Sequence, residues 1–260
     1  VDAPKTALIT GSATRVGRVI ACYLAQHGWN IAVHYGTSGD QARQTVEELQ
    51  SLGVRAAAFQ ADLGNADALE SFIARAHETL GPITALINCA AIFERDTPDN
   101  FSAEQFDRQL HINLRAPLNL AQAANALMQE QAEGGVIINI GSVSASRASP
   151  GTAAYGAAKA GLASLTRSLA VEWAPKVRVV SVSPGPVRTE QSELHYGDAA
   201  GIEAVARTIP AGRLAEPADV GRACLWLASP DAAYVSGSDL ALLGGGERPA
   251  FLDQATVNRE

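Results

Sequence analysis

The sequence predicts a single α/β domain spanning residues 1–260: an open, doubly wound parallel sheet of Rossmann type with helices on both faces. Three observations carry this expectation. Short apolar runs alternate with helical patterns from one end of the 260-residue chain to the other. Single helical patterns separate consecutive strands, which implies parallel pairing through right-handed crossovers. Runs such as Val136-Ile137-Ile138 are apolar without alternation, as strands buried on both faces require. Hydrophobic residues make up 47% of the chain and charged residues 18%, a globular composition.

The elements follow in order. Thr6 to Thr10 reads as a strand, and Val16 to His27 as a helix closed by Gly28. Asn30 to Tyr35 is the second strand, and Gln41 to Leu52 a helix closed by Gly53. Val54 to Gln60 is the third strand. The helix Ala66 to Leu80 stops at Gly81-Pro82. Ile83 to Asn88 is the fourth strand, Phe101 to Gln131 one long helical stretch, and Val136 to Ile140 the fifth strand after Gly134-Gly135. A second long helix covers Ala153 to Trp173, followed by the strand Val177 to Val182. Glu216-Pro217 opens another helix with Pro in its first turn, and Asp239 to Leu243 is a last short strand. Two regions break the alternation. Pro184 to about Arg213 is irregular and expected to form a substrate loop or lid over about 187–213. The polar C-terminus is expected to form an arm over 247–260.

The formal net charge of −7, with no long basic run, argues against nucleic-acid and membrane partners and leaves a small molecule as the expected one. No apolar stretch has the length of a membrane span. Val1-Asp2-Ala3-Pro4-Lys5 leads into the first strand without a signal-peptide pattern. Cys22, Cys89 and Cys224 lie far apart and form no C-x-x-C, so they read as buried thiols of a reducing compartment. A cytoplasmic location and no metal are the expectations.

The first strand-to-helix junction reads Thr10-Gly11-Ser12-Ala13-Thr14-Arg15-Val16-Gly17. Amides at such a helix start face whatever lies above the sheet, and the helix dipole favours an anion there. Gly11 allows the turn and Gly17 allows close helix–sheet packing. At the first βα junction of a doubly wound chain, this loop points to a dinucleotide. An acid ending the second strand would accept bonds from the ribose 2′-hydroxyl of NAD and repel a 2′-phosphate. Here the segment is Val33-His34-Tyr35-Gly36-Thr37-Ser38, with no acid before Asp40 and with Arg15 in the neighbouring loop. NADP(H) is therefore expected over NAD(H). The alternative leaves Arg15 solvated and His34 packed in the core. Asp62 has two readings, an acceptor for the adenine amino group or a cap for the next helix.

Tyr155-Gly156-Ala157-Ala158-Lys159 puts a tyrosine and a lysine on one face of a helix. A free tyrosine titrates near ~10. A neighbouring ammonium is expected to lower that value and suit the phenol to proton exchange. Ser142 follows the fifth strand, where its hydroxyl can hold a substrate oxygen. Asn113, mid-helix in His111-Ile112-Asn113-Leu114, is expected to hold a water that links Lys159 to solvent. A Y-x-x-x-K pair alone also fits a half-buried tyrosine beside a snorkelling lysine.

In conjunction, these segments resemble the classical short-chain dehydrogenase/reductase family from Lys5 to Gly246. The resemblance rests on the Thr10–Gly17 loop, Asp62-Leu63, Asn88-Cys89-Ala90-Ala91, Asn113, Ser142, Tyr155 and Lys159. It continues through Ser183-Pro184-Gly185-Pro186-Val187-Arg188-Thr189 and through Arg213 with Glu216-Pro217-Ala218-Asp219-Val220. It implies a catalytic tetrad of Asn113, Ser142, Tyr155 and Lys159, with hydride transfer between nicotinamide and a carbonyl carbon while the tyrosine passes the proton. The expected cofactor contacts are Gly11, Arg15, Val16, Gly17, His34, Tyr35, Ser38, Asp62, Leu63, Asn88, Tyr155, Lys159, Pro184, Gly185, Val187 and Thr189. The resemblance also implies a homotetramer built through the two long helices.

Three positions depart from the family pattern: Arg15 for a glycine, Cys89 and Ala91 in the usual N-N-A-G, and Leu243 for an acid before the C-terminal Gly-Gly. Arg15 and His34-Tyr35 look like the pteridine reductase branch, and Phe93 matches the aromatic that stacks on a pterin there. Ser142 stands where that branch often carries an aspartate. Phe93 reads equally as a plain apolar wall. Substrate contacts are expected from Ser142, Phe93 and Tyr155. Glu190, Gln191, His195 and Tyr196 face either substrate or solvent. The leading reading is an NADP(H)-dependent carbonyl or alcohol oxidoreductase, with dihydropterin reduction as its variant. A nucleotide-binding protein without catalysis leaves Tyr155 unexplained, and nothing supports a scaffold.

Overall fold

The computed structural model describes residues 5–96 and 102–247. The chain forms β1 (Thr6–Ile9), α1 (Arg15–Gln26), β2 (Asn30–Tyr35), α2 (Gly39–Ser51), β3 (Ala56–Gln60), α3 (Ala66–Leu80) and β4 (Ile83–Asn88). Then come α4 (Ala103–Leu110), a π-helical turn (His111–Arg115), α5 (Ala116–Glu130), β5 (Gly135–Ile140), α6 (Ala153–Glu172) and β6 (Val177–Pro184). The described part ends with α7 (Ser192–Tyr196), α8 (Ala199–Thr208), α9 (Pro217–Leu227) and β7 (Asp239–Leu242).

The seven strands lie in the order β3-β2-β1-β4-β5-β6-β7, all parallel. The order reverses between β1 and β4, which opens a crevice at their carboxyl ends. Alternate strand residues feed opposite faces. Ala7, Ile9, Ile87 and Ile138 pack with Ile20 and Leu24 of α1 and Val220 of α9. Leu8, Leu86 and Ile137 pack with Phe72 of α3, Leu120 of α5 and Leu169 of α6. Each of the Leu, Ile, Val and Phe side chains among them contributes about 1.5–3 kcal/mol on burial. This two-sided core holds the strand ends, and hence the loops above them, at fixed spacing.

Three expectations change. The stretch expected as one helix over 101–131 is interrupted by a π-helical turn centred on Asn113. In an α-helix the Asn113 carbonyl would take the N–H of residue 117, and Pro117 has none. The wider turn absorbs that missing bond, a common event at functional positions. The irregular segment after β6 is ordered into α7 and α8, with Ile202 and Ala206 packed on Leu214. Strand and helix ends also move by one to three residues: β3 starts at Ala56 rather than Val54, and β6 runs on to Pro184. Of the expected arm, only Glu247 lies among the described residues. Among those residues, no helix is long and apolar enough to cross a membrane, and no cluster of His, Cys, Asp and Glu fit for a metal occurs.

Candidate active site

The β1–α1 loop stands at the crevice. Gly11 has φ 65°, and a Cβ there would sit 3.0 Å from the Ala90 Cα. A Cβ on Gly17 would come within 2.3 Å of the Gly11 carbonyl oxygen, so only glycine lets α1 start this close to the turn. Thr14 occupies the N-cap of α1 without a side-chain bond to it, and no acid lies in the first turn. The N-terminus of α1 thus keeps its positive end for an outside anion. Arg15 follows with φ 52°, the one positive φ on a non-glycine among the described residues. Its guanidinium, half exposed, lies 3.7 Å from Glu190 at the edge of a cavity of about 520 Å3.

His34 does not face that cavity. It is 2% exposed, accepts the Gly11 N–H at Nδ1 (3.0 Å) and lies 3.1 Å from the Ala61 carbonyl at Nε2. An acceptor at Nδ1 requires the proton on Nε2, which donates to Ala61. Its backbone N–H and C=O also pair with the Ser12 hydroxyl and N–H. Burial pushes the imidazole down to about 4, so it is neutral at pH 7. The expected direct contact with cofactor is replaced by a clamp that fixes the loop. Tyr35 is half-buried, and Ser38 stands at the N-cap of α2 without capping it. Asp62 takes the Gly64 N–H at 2.8 Å, a local turn bond, while the Leu63 side chain is in the core.

Ser142, Tyr155 and Lys159 converge beyond β5. Lys159 is 3% exposed, and its ammonium donates to the Ile140 carbonyl at 2.8 Å and lies 5.6 Å from the Tyr155 ring centre. The Ser142 hydroxyl oxygen accepts from the Ser144 N–H at 3.2 Å and stands on the same side as the Tyr155 phenol, whose titration it influences. Burial raises the phenol to about 12, with the Ser142 hydroxyl opposing the rise. Desolvation dominates and no lowering by Lys159 accompanies it, against expectation, so Tyr155 holds its proton at neutral pH. Burial also lowers Lys159 to about 8, with Cys89 acting the other way, so it is still largely cationic at pH 7. Cys89 is pushed up to about 11 by burial and remains a thiol.

The loop after β4 forms the facing wall. Asn113, fully buried, accepts the Ile92 N–H (3.0 Å) and donates to the Ile92 carbonyl (2.9 Å). Its amide therefore clamps this loop. Phe93 is 45% exposed, with its ring edge-on to Tyr155 at 4.9 Å and to His195 of α7 at 5.2 Å. The Asn88 side chain points into the core instead of the crevice and donates to Asn139 at 2.9 Å. On the far side, Gly185 donates to Leu242, Val187 bridges Ala215, and Thr189 accepts the Gln191 N–H. Val16 packs partly buried against the core.

A family profile described as Enoyl-(Acyl carrier protein) reductase matches residues 11–246. An L-rhamnose 1-dehydrogenase (NAD(P)(+)) of Sphingomonas sp. (strain SKA58) is 34% identical, covering 93% of this chain and 95% of that protein. The 3-oxoacyl-[acyl-carrier-protein] reductase FabG of Staphylococcus aureus is 33% identical, covering 93% and 97%. The crystal structure of a blue fluorescent protein from a metagenomic library, in complex with NADPH, is 32% identical over 93% of this chain and 97% of that one, with a TM-score of 0.85. The chain belongs to the short-chain dehydrogenase/reductase family.

In this short-chain oxidoreductase, several residues that shape the site carry no signal of their own in sequence. The Thr10 hydroxyl accepts from the Cys89 and Ala90 amides at 2.9 and 3.0 Å and ties the β1–α1 loop to the β4 loop. Gln109 holds the Glu94 carbonyl at 3.1 Å. Asp96 reaches across to the start of α6, 57 residues ahead. A polar residue in a loop after a strand is ordinary, and no local periodicity links it to a partner that far along the chain.

Proposed function

We propose that the chain is an NADP(H)-dependent oxidoreductase acting on a carbonyl or alcohol, with Tyr155 as general acid and base. The observation that carries this is the meeting of Ser142, Tyr155 and Lys159 beside an α1 N-terminus left uncapped. The uncapped amides fit a dinucleotide pyrophosphate. Arg15 supports a 2′-phosphate, because a left-handed arginine costs on the order of 1–2 kcal/mol where glycine would cost nothing. Lys159 would hold the nicotinamide ribose, with Thr189 and Val187 closing from the β6 side. Bound reduced nicotinamide supplies a hydride. Ser142 would hold the substrate oxygen, and Tyr155, protonated at neutral pH, would hand it a proton. The two curated relatives, named for a sugar dehydrogenation and a 3-oxoacyl reduction, support carbonyl–alcohol chemistry.

A second reading is reduction of a dihydropterin or another planar C=N substrate. It rests on Phe93, whose half-exposed ring stands beside Tyr155 and offers a flat wall. The test is NADPH oxidation against β-keto esters, cyclic ketones, quinones and dihydropterins. At least one carbonyl is expected to turn over, faster with NADPH than with NADH. Turnover of pterins alone moves the assignment to the second reading, and no oxidation with any compound overturns both.

A further inference from the structure

We infer that Asp96 is a positioning residue that registers Tyr155 against the substrate wall, an inference that rests on the reading of Tyr155 above. Asp96 is 6% exposed, yet it bonds no cation among the described residues. Its carboxylate takes the first two amides of α6: Oδ1 accepts from Ala153 at 2.8 Å and Oδ2 from Ala154 at 2.9 Å. Its own N–H donates to the Gly151 carbonyl at 2.8 Å. α6 has no cap from its own sequence. Thr152, at the N-cap, makes no capping bond, and its hydroxyl is engaged with Ser149; the first turn carries no acid. A carboxylate from a distant loop therefore satisfies orphan amides and meets the positive end of the helix dipole.

The position of this cap matters more than its stabilising effect. Tyr155 is the residue next to Ala154, within the same first turn. Phe93, three residues before Asp96 on the same loop, touches the Tyr155 ring. The loop is also held at Cys89 and Ala90 by Thr10, at Ile92 by Asn113 and at Glu94 by Gln109 and Arg108; among the described residues, Asp96 is the one anchor whose hydrogen bonds end on α6. Without its carboxylate, the wall keeps the backbone bond from the Asp96 N–H to the Gly151 carbonyl before α6, but its bonds to α6 itself among the described residues are gone and it meets the phenol by ring contact. α6 itself does not depend on the cap for its placement, since Ala158, Leu162, Thr166 and Leu169 along it are buried. Loss of Asp96 is thus expected to misplace Tyr155 rather than unfold the helix, and a displacement of about 1 Å costs on the order of 10²-fold in rate.

The experiment compares Asp96→Ala, Asp96→Asn and the double variant Asp96→Ala/Thr152→Asp, using the panel compound that the native enzyme reduces fastest. Asp96→Ala is expected to lower kcat by about 10- to 100-fold, with the Kd for NADPH, read by fluorescence titration, within about twofold of native. Asp96→Asn keeps one acceptor oxygen and is expected to recover part of kcat. The double variant supplies a local cap and is expected to restore thermal stability but not kcat, because the tie to the Phe93 loop is still missing. Full recovery of kcat by the local cap would overturn the proposal and leave capping as the sole role, as would Asp96→Ala activity within threefold of native. Tyr155→Phe, run alongside, separates the two failures: if it too keeps native turnover, the reading of Tyr155 is what fails.

Discussion

α1 and α6 both begin at the carboxyl edge of the sheet, and neither is capped by its own sequence. The two ends are then treated differently. The α1 end is left bare, with Gly11 and Gly17 removing side chains around it and Arg15 placed beside it. The α6 end is filled by Asp96 from another loop. A bare N-terminus is a site for an anion that comes and goes, whereas a filled one is a fixed point. On the proposed function, the difference would divide the labour of the crevice: dinucleotide binding at the α1 end, and proton chemistry at a turn that must not move.

The sharpest way to break this comparison is Tyr155→Phe. If α6 carries chemistry and α1 carries binding, turnover falls by about 10²- to 10⁴-fold while NADPH affinity stays within threefold. Turnover above a tenth of native removes Tyr155 from the chemistry. A parallel collapse of NADPH binding would show that the two ends do not separate.

Arg15 tests the other end. Arg15→Gly relieves the positive φ, so thermal stability is expected to rise by about 1 kcal/mol, or roughly 2 °C in Tm. The same change removes a charged partner for a phosphate worth about 1.5–3 kcal/mol, so NADPH affinity is expected to fall by about 10- to 100-fold. NADH affinity should stay within twofold. A variant that gains stability and loses NADPH selectivity marks a strain kept for function. Equal losses for both dinucleotides would instead place the guanidinium on a phosphate that they share.

The same contrast separates what sequence makes legible from what it hides. The α1 end reads directly, because its chemistry is backbone and its signature is a run of small residues between a strand and a helix. The pairing of Tyr155 and Lys159 reads directly as well, since a spacing of four fixes a shared face. What escapes is whatever the tertiary fold decides. His34 ends the second strand where a ribose contact is expected, but burial turns its ring inward onto Gly11 and Ala61. Asn88 turns into the core onto Asn139. Asn113 sits in a π-helical turn and holds Ile92, an outcome that depends on Pro117 four residues on. The titration of Tyr155 is set by desolvation, which no spacing reveals.

The smallest expected effect concerns how the bare α1 end keeps its shape. His34 holds the Gly11 amide only while Nδ1 is unprotonated. Burial lowers its folded-state pKa to about 4, against the ordinary value of 6.5 in the unfolded chain. Between those values the unfolded chain binds the extra proton, so the stability His34 contributes is present above pH 6.5 and is lost as pH falls toward 4. From pH 7 to pH 5.5 the loss is on the order of 1 kcal/mol. Urea unfolding at the two pH values is expected to show it, and His34→Gln, which cannot charge, is expected to lose that part of the dependence. NADPH affinity should hold over the same range in the native protein, because the folded imidazole stays neutral there, and should weaken only as pH approaches 4, where a proton on Nδ1 would face the Gly11 N–H and loosen the turn. If His34→Gln keeps the native pH dependence of stability, the clamp is not the titrating group, and the shape of the α1 end is set by Gly17 packing alone.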